Sequence, residues 1–173
     1  VTMTPQPGEA KGRLGMETEK PAEQSGQIPG QIPFFEVHRQ DGPDRPQPAG
    51  LPSPDLDWTD PDDRLDVLHR LSDKYYSIIV LKGYGTLVGT TENTYMNTTG
   101  NPGMATGGSG DVLTGVIAAL GGQGYKPLDC AAIGVYVHGL AGDIAAKDLS
   151  EISMTSSDIV NYLPQAFLEV YPS

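Results

Sequence analysis

The run Asn101-Pro102-Gly103-Met104-Ala105-Thr106-Gly107-Gly108-Ser109-Gly110-Asp111-Val112-Leu113 constrains this chain more than any other segment. Glycines at this density permit positive φ and let a ligand approach the backbone with no Cβ in the way. The run ends in a carboxylate and continues into an apolar stretch, so it reads as a loop that opens into a helix from about Asp111 to Leu120, stopped by Gly121-Gly122. The first amides of a helix have no intrahelical partner, and the helix dipole puts positive charge behind them. Such a junction is an anion site. Asp111 stands at its centre, where a carboxylate beside a polyphosphate is repulsive unless it takes a proton from the attacking group. It is therefore a candidate base; the plainer alternative is a helix cap, a role that Asp also favours.

The 173 residues suit one domain of ordinary size. A net charge of -11 speaks against a nucleic-acid backbone or an anionic membrane as partner, because either would meet repulsion. A small anionic ligand held by local amides and one lysine remains compatible. The single cysteine, Cys130, excludes an internal disulfide and points to a reducing compartment. It lies in an apolar stretch and is expected to pack in the core. No segment approaches the roughly 18 apolar residues of a membrane span, and Val1 to Met16 has no signal-peptide pattern. A soluble, cytoplasmic protein is expected.

Composition divides the chain. Nine of the fifteen prolines fall between Glu19 and Asp63, with no helical or alternating period, so residues 19–61 are expected to form a mobile insertion. Phe34-Phe35 and Trp58 are the exceptions that could dock locally. From Asp62 the spacing Leu65-Val67-Leu68-Leu71 predicts a helix, and Ser77 to Leu81 predicts a strand buried on both faces. A helix feeding such a strand suggests an α/β fold with parallel strands. Leu87-Val88-Gly89 and Thr94 to Thr98 read as a hairpin, Leu128 to about Ala146 as a second helix, and Ile159 to Val170 as a last helix behind the capping box Thr155 to Asp158.

Five segments together resemble the NAD(P)H-hydrate dehydratase family of the ribokinase-like fold. They are Thr4-Pro5-Gln6-Pro7-Gly8-Glu9, Leu81-Lys82-Gly83-Tyr84-Gly85-Thr86, the glycine-rich run through Gly115, His138-Gly139-Leu140-Ala141-Gly142-Asp143, and Ser157-Asp158-Ile159. The resemblance covers Val1 to about Met16 and about Asp62 to Ser173. It implies an αβα three-layer sandwich of which residues 1–173 are the C-terminal part, interrupted by the proline-rich insertion. On that reading the chain is a fragment that does not turn over alone.

The resemblance further implies a hydro-lyase that repairs hydrated NADH or NADPH with ADP, leaving AMP and phosphate. Asp111 would deprotonate the ring hydroxyl. Lys82, Gly83, Tyr84, Gly85 and Thr86, with Gly107, Gly108, Ser109 and Gly110, would hold the nucleotide, and Gln6 with Asp111 the hydrated substrate. Mg2+ would accompany ADP, and the assembly would be a homo-oligomer, a tetramer in the family. Gln6 departs from the family's usual histidine: it keeps a donor and an acceptor but cannot carry positive charge. The Met104-Ala105-Thr106 context is closer to the ADP-using branch.

Other residues read more plainly. Lys82 by itself could be a strand-end lysine. His138 is expected to be a hydrogen-bonded packing residue, Asp143, Asp148 and Glu151 a solvated face, and no metal site is expected around His38 or His69. Two other functions fit the residues: a ribokinase-like kinase of the hydroxymethylpyrimidine or hydroxyethylthiazole type, using the same Asp111, and a non-catalytic nucleotide-binding remnant.

Overall fold

The computed structural model describes residues 35–36 and 60–172. In chain order these form strand β1 (Phe35–Glu36), helix α1 (Pro61–Tyr75), strands β2 (Ile79–Leu81), β3 (Leu87–Gly89) and β4 (Thr94–Met96), the 3-10 turn η1 (Pro102–Met104), and helices α2 (Ser109–Gly122), α3 (Pro127–Leu149) and α4 (Ser156–Val170). Gln6 and nearly all of the 19–61 segment lie outside the described residues. Strand β1 pairs with β4, while Phe34 and Trp58, also expected to dock locally, lie outside the described residues.

Helix α1 begins where its local chemistry directs. The Asp62 amide donates to the Asp60 carboxylate at 2.8 Å, and Pro61 occupies a first-turn position where a missing N–H costs nothing. The helix ends at Tyr76, whose φ of +49° turns the chain out of the helix.

The sheet has the order β1-β4-β3-β2, and each described pairing is antiparallel. This corrects the expectation of parallel strands. Only residues 82–86 join β2 to β3, whereas a parallel crossover needs about a dozen or more. The burial expectation is corrected as well: β2 is half-buried along its length, and β3 is the strand covered on both faces. Its neighbours explain why. Leu87 packs with Leu65 and Leu68 of α1, while Val88, pointing the other way, packs with Leu113 of α2 and Ala132 and Val135 of α3. The small sheet therefore lies between α1 and the α2–α3 pair.

The main core is helical. Val116 and Leu120 of α2, Ile133, Val137 and Ile144 of α3, and Ile159, Ala166 and Val170 of α4 form one buried cluster. Cys130 is buried in it, its thiol donating to the Tyr125 carbonyl, and burial pushes the thiol pKa up, as expected for a packing residue. By length and composition α3 could cross a membrane, contrary to the sequence expectation, but 72% of its apolar stretch is buried in this core. Helix α2 runs through Gly121-Gly122, with the first positive φ after it at Gly124. The capping box forms as expected: the Thr155 side chain accepts the Asp158 amide, and the Asp158 carboxylate accepts the Thr155 amide at 2.8 Å.

Two glycines of these helices should respond oppositely to alanine. A Cβ at Gly139 would stand 2.8 Å from the Thr99 carbonyl carbon and oxygen, whereas one at Gly115 meets nothing within 4 Å. Gly139→Ala is expected to cost about 1–3 kcal/mol through overpacking, and Gly115→Ala to add roughly 0.5–1 kcal/mol through helix propensity. Urea denaturation midpoints at unchanged slope check both.

Candidate active site

The glycine-rich loop is built from short-range bonds. The Asn101 side chain accepts the Gly103 amide at 3.0 Å, and the Met104 amide donates to the Asn101 carbonyl at 3.1 Å, closing η1. Gly108, at φ +85°, is the N-cap of α2, and no side chain caps that helix. Only glycine takes this backbone geometry without strain. A Cβ at Gly107 would meet nothing within 4 Å, so the crest of the loop borders open space.

The Lys82–Thr86 loop reaches the same place from the sheet side. Gly83 and Gly85 have φ of +150° and +59°, and the Thr86 hydroxyl donates to the Gly83 carbonyl at 3.0 Å. Arg64 of α1 fixes the loop from below, donating to the carbonyls of Tyr84 at 2.6 Å, Gly85 at 3.0 Å and Leu81 at 3.4 Å. The Lys82 ammonium thus comes so close to α2 that a Cβ at Gly110 would stand 3.1 Å from its Nζ. A cation and an uncapped helix N-terminus share one locus, which suits a multiply charged anion. Tyr84 at the loop tip is 99% exposed.

Asp111 follows directly. It is exposed, stands in the first turn of α2, and makes no side-chain capping bond, so the capping alternative does not hold. Its carboxylate is open to solvent one residue after Gly110, where Lys82 Nζ approaches α2.

Behind the loop stands α3. His138 is buried, and its Nε2 lies 2.9 Å from the Ser109 carbonyl; a carbonyl only accepts, so Nε2 carries the proton. Burial pushes the imidazole below its ordinary value; the bond to Ser109 opposes this, and the Lys82 charge adds to it. The packing role expected for His138 is the one found. The solvated-face reading of Asp143 is corrected: its carboxylate accepts the Gly100 amide at 2.8 Å and the Asn101 side-chain amide at 2.9 Å. Asp148 accepts from the Tyr162 hydroxyl at 2.7 Å. Sequence reading missed Arg64 and Asp143 because both act on loops far along the chain. Among the described residues no group of three or more His, Cys, Asp or Glu could hold a metal. An apolar groove of about 350 Å³ between α2 and α4, lined by Val116, Ala119, Leu163 and Phe167 among others, offers no charged side chain to a nucleotide.

The His138 shift has a consequence for stability. Its folded pKa lies below the unfolded 6.5, so below that pH the unfolded chain binds more protons. Its contribution is complete above 6.5 and is lost as pH falls from there toward the folded pKa. The imidazole signal should titrate below 6.5 by NMR, and unfolding free energy should drop less between pH 7 and 5 in His138→Gln than in the unsubstituted chain. A midpoint above 6.5 contradicts the burial argument.

The NAD(P)H-hydrate dehydratase family model matches residues 53–165, which include both loops and Asp111 but not Gln6. The bifunctional NAD(P)H-hydrate repair enzyme of Moorella thermoacetica is 46% identical over 104 residues, covering 60% of this chain and 20% of that protein. The ADP-dependent (S)-NAD(P)H-hydrate dehydratase of Nitrosopumilus maritimus is 32% identical over 98 residues, covering 57% of this chain and 34% of that protein. Among solved structures, the ADP/ATP-dependent NAD(P)H-hydrate dehydratase from Bacillus subtilis, co-crystallised with ATP/Mg2+ and soaked with CoA, superposes with a TM-score of 0.59 at 26% identity, over 62% of this chain and 40% of that one. The chain thus spans about a fifth of the length of the bifunctional relative and about two-fifths of the solved one. With well over half of its residues matched by the family model, the chain belongs to the NAD(P)H-hydrate dehydratase family.

Proposed function

We propose that this chain carries the nucleotide site and catalytic base of an ADP-dependent dehydratase that returns the (S)-hydrate of NADH or NADPH to NAD(P)H. The observation that carries the reading is the meeting of Lys82 Nζ with Gly110 at the uncapped start of α2, with exposed Asp111 beside them. The names of the relatives support the substrate and the nucleotide. On this reading the sheet and its flanking helices are part of a ribokinase-like αβα sandwich.

The chemistry follows from the difficulty of expelling hydroxide. Asp111 takes the proton of the ring hydroxyl, whose oxygen attacks the terminal phosphorus of ADP; the bond to the bridging oxygen breaks, and AMP leaves. The ring phosphate ester then eliminates inorganic phosphate, with loss of a proton from the adjacent carbon, restoring the double bond. Lys82 and the amides of Gly107 to Gly110 stabilise the charge that gathers on the transferred group. Gly83 to Thr86, held by Arg64, support the nucleotide from the other side. Mg2+ enters with the nucleotide as its counter-ion. Bound with the nucleotide it would offset the charge of the phosphates, and Asp111, exposed on the first turn of α2, is a carboxylate that could help to hold it.

Two expectations test this in the protein that includes this chain. Asp111→Asn keeps the size of the side chain and removes its ability to take a proton, so turnover of hydrated NADH should fall by about 10² to 10⁴. ADP binding, followed by calorimetry, should hold or tighten as a negative charge leaves the phosphate locus. A variant that keeps most of its rate refutes the base assignment. Initial rates with ADP should exceed those with ATP; a clear preference for ATP overturns the nucleotide assignment, and a stable phosphate ester as end product would identify a kinase instead.

A further inference from the structure

The glycine loop is held from behind by groups whose hydrogen-bonding directions are fully determined. The Asp143 carboxylate can only accept. One oxygen takes the Gly100 amide at 2.8 Å and the other takes Asn101 Nδ2 at 2.9 Å. Asn101 must therefore turn its Oδ1 the other way, where it accepts the Gly103 amide at 3.0 Å. Gly103 is pressed onto the turn that follows α3, since a Cβ there would stand 2.7 Å from Glu151 Cα. Met104 lies over Gly142, one residue before Asp143, where a Cβ would meet its Cγ at 2.7 Å. At the far end of the loop, His138 Nε2 donates to the Ser109 carbonyl at 2.9 Å. The loop is an arch with both feet bonded to α3 and an unobstructed crest at Gly107.

We propose that Asp143 and Asn101 form a one-way hydrogen-bond chain that sets the first foot of this arch, making Asp143 a positioning residue for the anion locus. The idea rests on the nucleotide reading given above. Its physical content is preorganisation: amides held in the receiving shape before the ligand arrives need not be ordered when it binds. The relay also explains why a half-buried acid is found close to a site for anions. Both of its oxygens are committed to donors of the loop, and neither needs to face the ligand.

The directionality gives a sharp test in the full chain. Asp143→Asn can still accept the Gly100 amide, but its own NH2 then faces that of Asn101; rotating Asn101 only moves the clash to the Gly103 amide. Asn101→Asp sets two carboxylates against each other. The swap Asp143→Asn with Asn101→Asp restores every bond. The amide introduced on α3 would accept from Gly100 and donate to the acid introduced on the loop, which would accept from Gly103. Each single substitution should weaken ADP binding by about tenfold or more, as expected for a lost charge-assisted bond, and should speed hydrogen exchange of the Gly100 and Gly103 amides. The swap should return ADP affinity to within about threefold of the unsubstituted chain and restore the protection of both amides.

Single variants that remain folded and bind ADP normally overturn the proposal, as does a swap no better than the sum of its parts. If a single variant fails to fold, a swap that folds and binds supports the relay, and one that fails too overturns it. If the unsubstituted chain binds no ADP, the nucleotide reading fails, while the exchange pattern of the swap still decides the relay. The two failures are thereby distinct.

Discussion

The attachment of the glycine-rich loop to α3 is the interaction on which the rest of this structure depends. The Tyr136 carbonyl accepts the Thr99 hydroxyl at 2.8 Å, His138 holds Ser109, and Asp143 holds Gly100 and Asn101. Tyr136, Gly139 and Asp143 recur at helical spacing, so one face of a rigid helix sets much of the path of a loop with little structure of its own. Gly139 and Gly142 on the same face are small because Thr99 and Met104 press against them. They lower the helix propensity of α3, by roughly 1 kcal/mol each relative to alanine, and the close approach of the loop is what that loss makes possible.

A second constraint comes from the sheet. A connection as short as residues 82–86 forces β2 and β3 into an antiparallel pair, and the positive φ at Gly83 and Gly85 folds the loop so that its carbonyls face Arg64. The lysine at the end of β2 is thereby held over the start of α2. Burial of β3 between α1 on one face and α2 and α3 on the other ties the two loops to a common frame.

The electrostatics are local. The chain carries a net charge of -11, yet one lysine and an uncapped helix N-terminus meet at a single locus. Asp143 is engaged by the loop, and Asp111 is exposed beside the locus on the first turn of α2. His138 is kept below its ordinary pKa by burial, so a neutral imidazole can pack against the loop without adding a charge beneath it.

Much of this was legible in the sequence because it is local. The helix after the glycine run, the capping box at Thr155 to Asp158 and the burial of Cys130 depend on neighbours in the chain, and periodicity and capping chemistry report such neighbours directly. The family was legible too, since it is carried by contiguous motifs. The partner of Asp143 and the role of Arg64 were decided by tertiary structure alone. Each depends on which surface lies opposite a residue after the chain has folded back over 20 to 43 positions, as Arg64 does to Tyr84 and Asp143 to Gly100. A half-polar helix face looks the same in sequence whether it meets water or a loop, and only packing distinguishes the two.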